Sequence, residues 1–285
     1  MTINKSKTRA KQLYTLTRVL LFYICSVIVL IFTSSLTKSL SVKVADLLSI
    51  FLATVVSLSL AVLFTHWEKL TLDKVGLIPG TKSIQRFVAG YAVGLSMAVL
   101  QALIVTSFGH FQLVFVQHIA MMDIVLPFIL YLLVACREEL VFRSYSLRSL
   151  NYALSSGLAL LIITTLFILE HVAAGMTWKM AIIGSGLGGI LFGLSALKTK
   201  GLALPLGLHS AWNFGQWSMG FKGKPGIWEG VVEKGYESSA ANIGLTAFVL
   251  VMLLAIIGVL FVYRKESIKQ DNVGVYGDSS LSVSA

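Results

Sequence analysis

Charge is what this chain has least of. Asp and Glu together supply only 13 of 285 residues, all charged residues make up 13%, and there are four prolines. A soluble globular domain is roughly a quarter charged. Here 56% of residues are apolar and the mean hydropathy is +0.84, which excludes a soluble domain and points to a multi-span membrane protein. Cysteine is nearly absent too. Cys25 and Cys136 both fall inside apolar runs, which excludes a disulfide framework and leaves them as small core residues. Ten-residue alternating segments are missing, so a transmembrane β-barrel is excluded. The helical zinc signature His-Glu-xx-His is also missing.

What is present is a series of long uncharged runs at 19–37, 47–67, 87–122, 124–136, 149–169, 180–197, 201–221 and 238–263. A helix needs about 20 apolar residues to cross the hydrocarbon core. The pattern predicts an all-α polytopic membrane protein with about eight transmembrane helices. The first run is too long for a signal-peptide core and is read as a retained signal anchor. Residues 1–14 form a basic cytoplasmic tail, 15–265 one membrane-embedded domain, and 266–285 a disordered cytoplasmic tail.

The formal charge is +10, with 23 Lys and Arg. Most of these cations fall in the segments that share a side with the N-terminus, as orientation signals do, so no nucleic-acid partner is expected. Both termini are predicted cytoplasmic, in a bacterial plasma membrane, with lipids as the surrounding partner. The span at 180–197 holds two Gly-xxx-Gly spacings, Gly184–Gly188 and Gly189–Gly193, which predict close helix packing inside the bundle.

Against this apolar background a few polar residues are conspicuous. An ionised side chain at the bilayer centre costs about 2.5–3.5 kcal/mol on insertion scales, so such groups mark functional interiors. Glu138-Glu139-Leu-Val-Phe-Arg143 closes the fourth run. On a helix Glu139 and Arg143 lie one turn apart and can pair. Glu138 lies about 100° round, free to face a cavity as a general base. A salt bridge that only locks two helices would use the same residues. In the fifth run Phe167 and His171 share a face, with Glu170 beside them; in the seventh, His209 and Asn213 do. An imidazole and a carboxamide one turn apart can serve a developing oxyanion.

Taken in order, Glu-Glu-xxx-Arg, Phe-xxx-His and His-xxx-Asn on three apolar helices resemble the CAAX prenyl endopeptidase type II and bacteriocin-processing (CPBP, or Abi) family of intramembrane proteases. The resemblance covers about residues 120–220, the motif core of the domain, and no motif position departs from it. It implies hydrolysis of a peptide bond in a membrane-associated protein or peptide, of CAAX or leader-processing type. In that reading Glu138 activates a water, His171 helps position it, and His209 and Asn213 stabilise the oxyanion. Glu139 and Arg143 hold the site in shape. The family is commonly called metalloproteases, so zinc on His171 and His209 is a candidate cofactor, and a metal-free glutamate mechanism is equally compatible. Two other classes use the same groups: a non-proteolytic scaffold or immunity protein on the same fold, and a proton-coupled transporter. Simple topology puts Glu138 and His209 toward the cytoplasmic half and His171 toward the outer half. The expected resolution is a longer fourth helix or a broken fifth, with the cavity open to the cytoplasmic side.

Overall fold

The computed structural model describes residues 2–266. Its helices are α1 (Thr2–Thr37), α2 (Val42–Trp67), α3 (Ser83–Phe108), α4 (Met121–Glu138), α5 (Leu147–Ala153), α6 (Ser156–Ala173), α7 (Trp178–Met180), α8 (Gly186–Thr199), α9 (Ala203–Ser218) and α10 (Glu237–Val262). Wide π-helical turns join α4 to α5 at Glu139–Ser146 and α7 to α8 at Ala181–Ser185. The described residues therefore form eight helical runs, as the hydropathy pattern predicts. Six of these are long and apolar enough to cross a membrane. The other two, α4 with its extension and α9, are the ones that carry the polar motifs. Residues 2–14, read from sequence as a basic tail, continue α1 as helix. The C-terminal segment from 267 onward lies outside the described residues.

One element departs from the hydropathy reading. The run at 87–122 is not all helix: α3 stops at Phe108, and β1 (Phe111–Phe115) pairs antiparallel with β2 (Trp228–Val232). Aromatic and β-branched residues favour this local choice. The Phe115 and Trp228 rings meet edge to face across the register at 5.4 Å. Gly230 is required here, because a Cβ at that position would collide with the Phe111 ring. His110 stacks on Tyr236 at 3.6 Å and bonds Glu233 through Nδ1, closing the sheet's end.

The tightest helix crossing is that of α3 and α9. A Cβ on Gly90 would lie 2.5 Å from the Leu204 carbonyl oxygen, one on Gly94 2.6 Å from that of Leu208, and one on Gly207 would overlap the Phe87 carbonyl. These glycines let two backbones touch, which is how helices gain dispersion contact in lipid. The expected role of the two glycine pairs on the 180–197 span holds only for the second. Gly193 abuts Leu160 and Gly189 abuts Thr164, both on α6, whereas Gly184 and Gly188 border open space.

The kinked run from α4 through α5 is held from the side by a buried carboxylate. Glu68, at the end of α2, accepts from Tyr145 Oη at 2.7 Å and Ser149 Oγ at 2.6 Å, and Arg18 of α1 lies 3.7 Å away. The kink itself is at Ser144, whose ψ of −109° is non-helical. Around it Phe22, Phe64 and Tyr145 pack as an aromatic cluster with ring centroids 5.2–5.7 Å apart.

Candidate active site

Glu138 is the last residue of α4, and Glu139 opens the π-helical turn. Such turns widen the backbone and recur at functional sites. The helical path then runs on to Ala153 before α6 begins at Ser156. Glu138 and His171 are thereby equally far along the chain from the turn that joins the two helical runs, and the reversal of the chain there brings them into electrostatic proximity. The first of the two anticipated resolutions, a longer fourth helix, is the one the fold adopts.

Glu139 is 1% exposed and is held twice. His209 Nδ1–H donates to its Oε1 at 2.9 Å, and Arg143 Nη1 stands 3.4 Å from the same oxygen. Arg143 is wholly buried and lies in an aromatic cage, its Cζ 4.4 Å from the Phe167 ring centroid, 5.5 Å from Phe142 and 5.6 Å from Phe192. A guanidinium over ring faces recovers part of its desolvation cost. Phe192 also stacks on His209 at 4.3 Å with 14° between planes, so the imidazole is fixed by an acceptor at one edge and a ring on one face.

That arrangement turns His209 Nε2 toward Glu138, whose Oε2 is 3.5 Å away. Glu138 Oε2 is buried and, among the described residues, has no hydrogen-bond partner. His171 donates from Nδ1 to the Phe167 carbonyl at 2.9 Å, which leaves Nε2 as its free nitrogen, and it is an electrostatic neighbour of Glu138. Asn213 Oδ1 accepts from Lys222 Nζ at 3.0 Å, and Lys222 itself lies 5.3 Å over the Tyr131 ring. His171, His209 and Asn213 line one hollow of about 590 Å³, together with Phe167, Phe192 and Lys222. Glu138 sits immediately behind the His209 ring edge rather than on that wall.

The hollow does not open where expected. Its rim carries Phe111 and Val232 from the sheet, Lys222, and Glu237 at the start of α10. This is the face that bears β1 and β2, opposite the start of α1 and the end of α10. The expectation of an opening on the side of the termini is therefore corrected. The sheet and the loop after α9 line the hollow at that end, together with the small residues Gly184, Gly188, Ala240, Ala241 and Gly244 of the neighbouring helices.

Several residues of the site escaped the sequence reading. Glu170, left open there, is ion-paired with Arg137 through both terminal guanidinium nitrogens, an interaction that ties α4 to α6. Lys222 reads as a loop cation, and only the fold returns it to Asn213. Phe192 is hidden in a glycine-rich helix. As to zinc, His209 and His171 each commit Nδ1 to a protein acceptor, and no set of three His, Cys, Asp or Glu side chains stands at ligand spacing among the described residues. Among the described residues these side chains do not build a metal centre.

A family model for the Type II CAAX prenyl endopeptidase Rce1-like proteins matches residues 119–215. The matched stretch runs from the loop before α4 into α9 and contains Glu138, Glu139, Arg143, His171, His209 and Asn213. No curated protein matches the chain.

Proposed function

We propose that the protein is an integral-membrane endopeptidase that hydrolyses a peptide bond in a membrane-associated protein or peptide, with Glu138 as general base. The observation that carries this reading is a buried carboxylate oxygen that, among the described residues, has no partner, 3.5 Å from an imidazole held at its other nitrogen, beside a hollow that the matched stretch lines in part. A carboxylate so placed can hold a water by one hydrogen bond and take its proton.

The Nε2 of His171 accepts from the water and sets its lone pair toward the scissile carbonyl. As the water oxygen bonds the carbonyl carbon, one proton passes to Glu138 and negative charge collects on the carbonyl oxygen. Asn213 donates to that oxygen from its NH2, which Lys222 leaves free by occupying Oδ1. His209 donates from Nε2 in its doubly protonated form, its Nδ1–H being held by Glu139. Preorganised donors of this kind are each worth roughly 10²–10³ in rate. Collapse breaks the C–N bond, and Glu138 returns its proton to the leaving amine nitrogen. Glu139 and Arg143 position His209 without touching substrate. The mostly apolar wall, with Trp212, Phe248 and Met252, suits an apolar segment of an anchored substrate.

The test uses purified protein in detergent with a library of membrane-anchored reporter peptides. Glu138→Gln and His209→Ala are expected to lose cleavage by about 10²–10⁴-fold, the usual contribution of a general base, with unfolding temperatures close to wild type. Wild-type turnover in both variants would refute the proposal.

A further inference from the structure

On the face opposite the sheet, a second hollow of about 510 Å³ lies between the start of α3 and the end of α10. Four cations border it: Lys82 immediately before α3, Arg86 in its first turn, and Arg264 and Lys265 from the residues after α10. Glu266 is the single carboxylate on its wall. The hollow is well fastened. Arg86 Nη1 donates to the Thr199 carbonyl at 2.8 Å, and Lys198 Nζ donates to the Glu266 carbonyl at 2.8 Å, so α8 holds both sides in register. Arg264 lies over the Phe261 ring at 4.8 Å. The positive end of the α3 dipole points the same way.

The surface next to these cations is greasy and open. Ile84 and Val88 on α3 and Phe261 and Val262 on α10 are 81%, 58%, 65% and 70% exposed. In a chain whose helices span a bilayer, such residues face acyl chains, and the cations stand at their ends, at headgroup depth. A cluster of cations over a lipid-facing apolar strip matches a ligand with a phosphate at one end and hydrocarbon at the other. Basic pockets between spanning helices bind anionic headgroups for this reason.

We propose that this hollow binds the phosphate of an anionic phospholipid, with its acyl chains lying along Ile84, Val88 and Phe261. The site is independent of the hydrolase reading: it lies at the other end of the bundle and shares no residue with the first hollow.

The experiment places the full chain in nanodiscs of phosphatidylcholine, with or without phosphatidylglycerol, and follows thermal unfolding together with the lipid retained in native mass spectra. Phosphatidylglycerol is expected to raise the unfolding temperature and to remain bound after delipidation. The double variant Lys82→Gln/Arg264→Gln spares the structural Arg86 bond and should weaken retention about fivefold for each cation removed. Lys69→Gln/Lys74→Gln, which lowers the charge equally in the loop before α3, should bind as wild type does. An equal loss in both double variants would mean diffuse surface attraction and overturn the proposal. So would equal protection by inorganic phosphate in phosphatidylcholine alone, which would make the ligand a free anion.

Discussion

Lys222 shows how much of a polar site depends on one uncommitted hydrogen bond. An asparagine can present either end of its carboxamide, and a lysine, being only a donor, settles the choice by taking the oxygen. With Oδ1 held at 3.0 Å by Nζ, the NH2 of Asn213 is the end left for an oxyanion. Lys222→Met should therefore lower kcat about tenfold, part of the 10²–10³ that a lost oxyanion donor costs, with KM nearly unchanged. Lys222→Arg should recover most of the rate, since a guanidinium can also donate to Oδ1. A fall confined to KM, or no recovery by arginine, would show that Lys222 contacts substrate instead. At this scale the motif residues were legible because an ionisable group in an apolar run is conspicuous against its neighbours. Lys222 was not, because in a loop a cation is ordinary and reads as an orientation signal. Glu170 was visible as an anomaly, but its partner Arg137 lies on another helix, and nothing local pairs them.

Among the elements, the contact of α3 with α9 governs where His209 and Asn213 stand, because α9 carries both. Gly207 lies between Leu206 and Leu208 on the α9 turn just before His209, and a Cβ there would meet the Phe87 carbonyl and lie 2.8 Å from Tyr91 N. Gly207→Ala must push the helices apart. An overpacked contact costs typically about 1–3 kcal/mol, so a measurable drop in unfolding temperature in detergent is expected, accompanied by lost activity as α9 shifts. Gly188→Ala is the matched control: its Cβ would meet only the Phe192 ring of its own helix, at 3.4 Å. Its unfolding temperature should stay near wild type, and equal destabilisation by the two would contradict the packing described. The hydropathy pattern located the helices well and their contacts poorly. Gly-xxx-Gly is informative only with knowledge of which face meets a neighbour, and the crossing glycines of α3 and α9 are separated by more than a hundred residues of chain. The π-helical turn at Glu139 left no periodicity to detect. The strand β1 was concealed because Phe-Gln-Leu-Val-Phe is apolar enough to extend a helical run.

For the molecule as a whole, the question is which membrane face admits substrate. The two ends of the bundle differ in kind. One is a packed network around Glu68, Tyr145 and Ser149 with cationic loops; the other is a small sheet standing beside an open hollow. Sequence alone could not separate them, since depth along a helix depends on where its turns fall. The continuation of α4 through Ala153 follows from tertiary contacts with α1 and α2 rather than from composition. If the hollow is the route to Glu138, blocking its rim must stop cleavage while an equal adduct elsewhere does not. In a background with Cys25 and Cys136 replaced, Glu237→Cys places a thiol on the rim and Lys69→Cys one on the opposite face, both at exposed positions. A bulky membrane-impermeant maleimide, applied to detergent-purified protein so that both faces are reached, is expected to abolish cleavage in the first and spare it in the second. Protection of Glu237→Cys from labelling by added substrate should follow from the same geometry. Full activity of the labelled rim variant, or its loss in the Lys69→Cys protein alone, would place the entrance on the side of the termini.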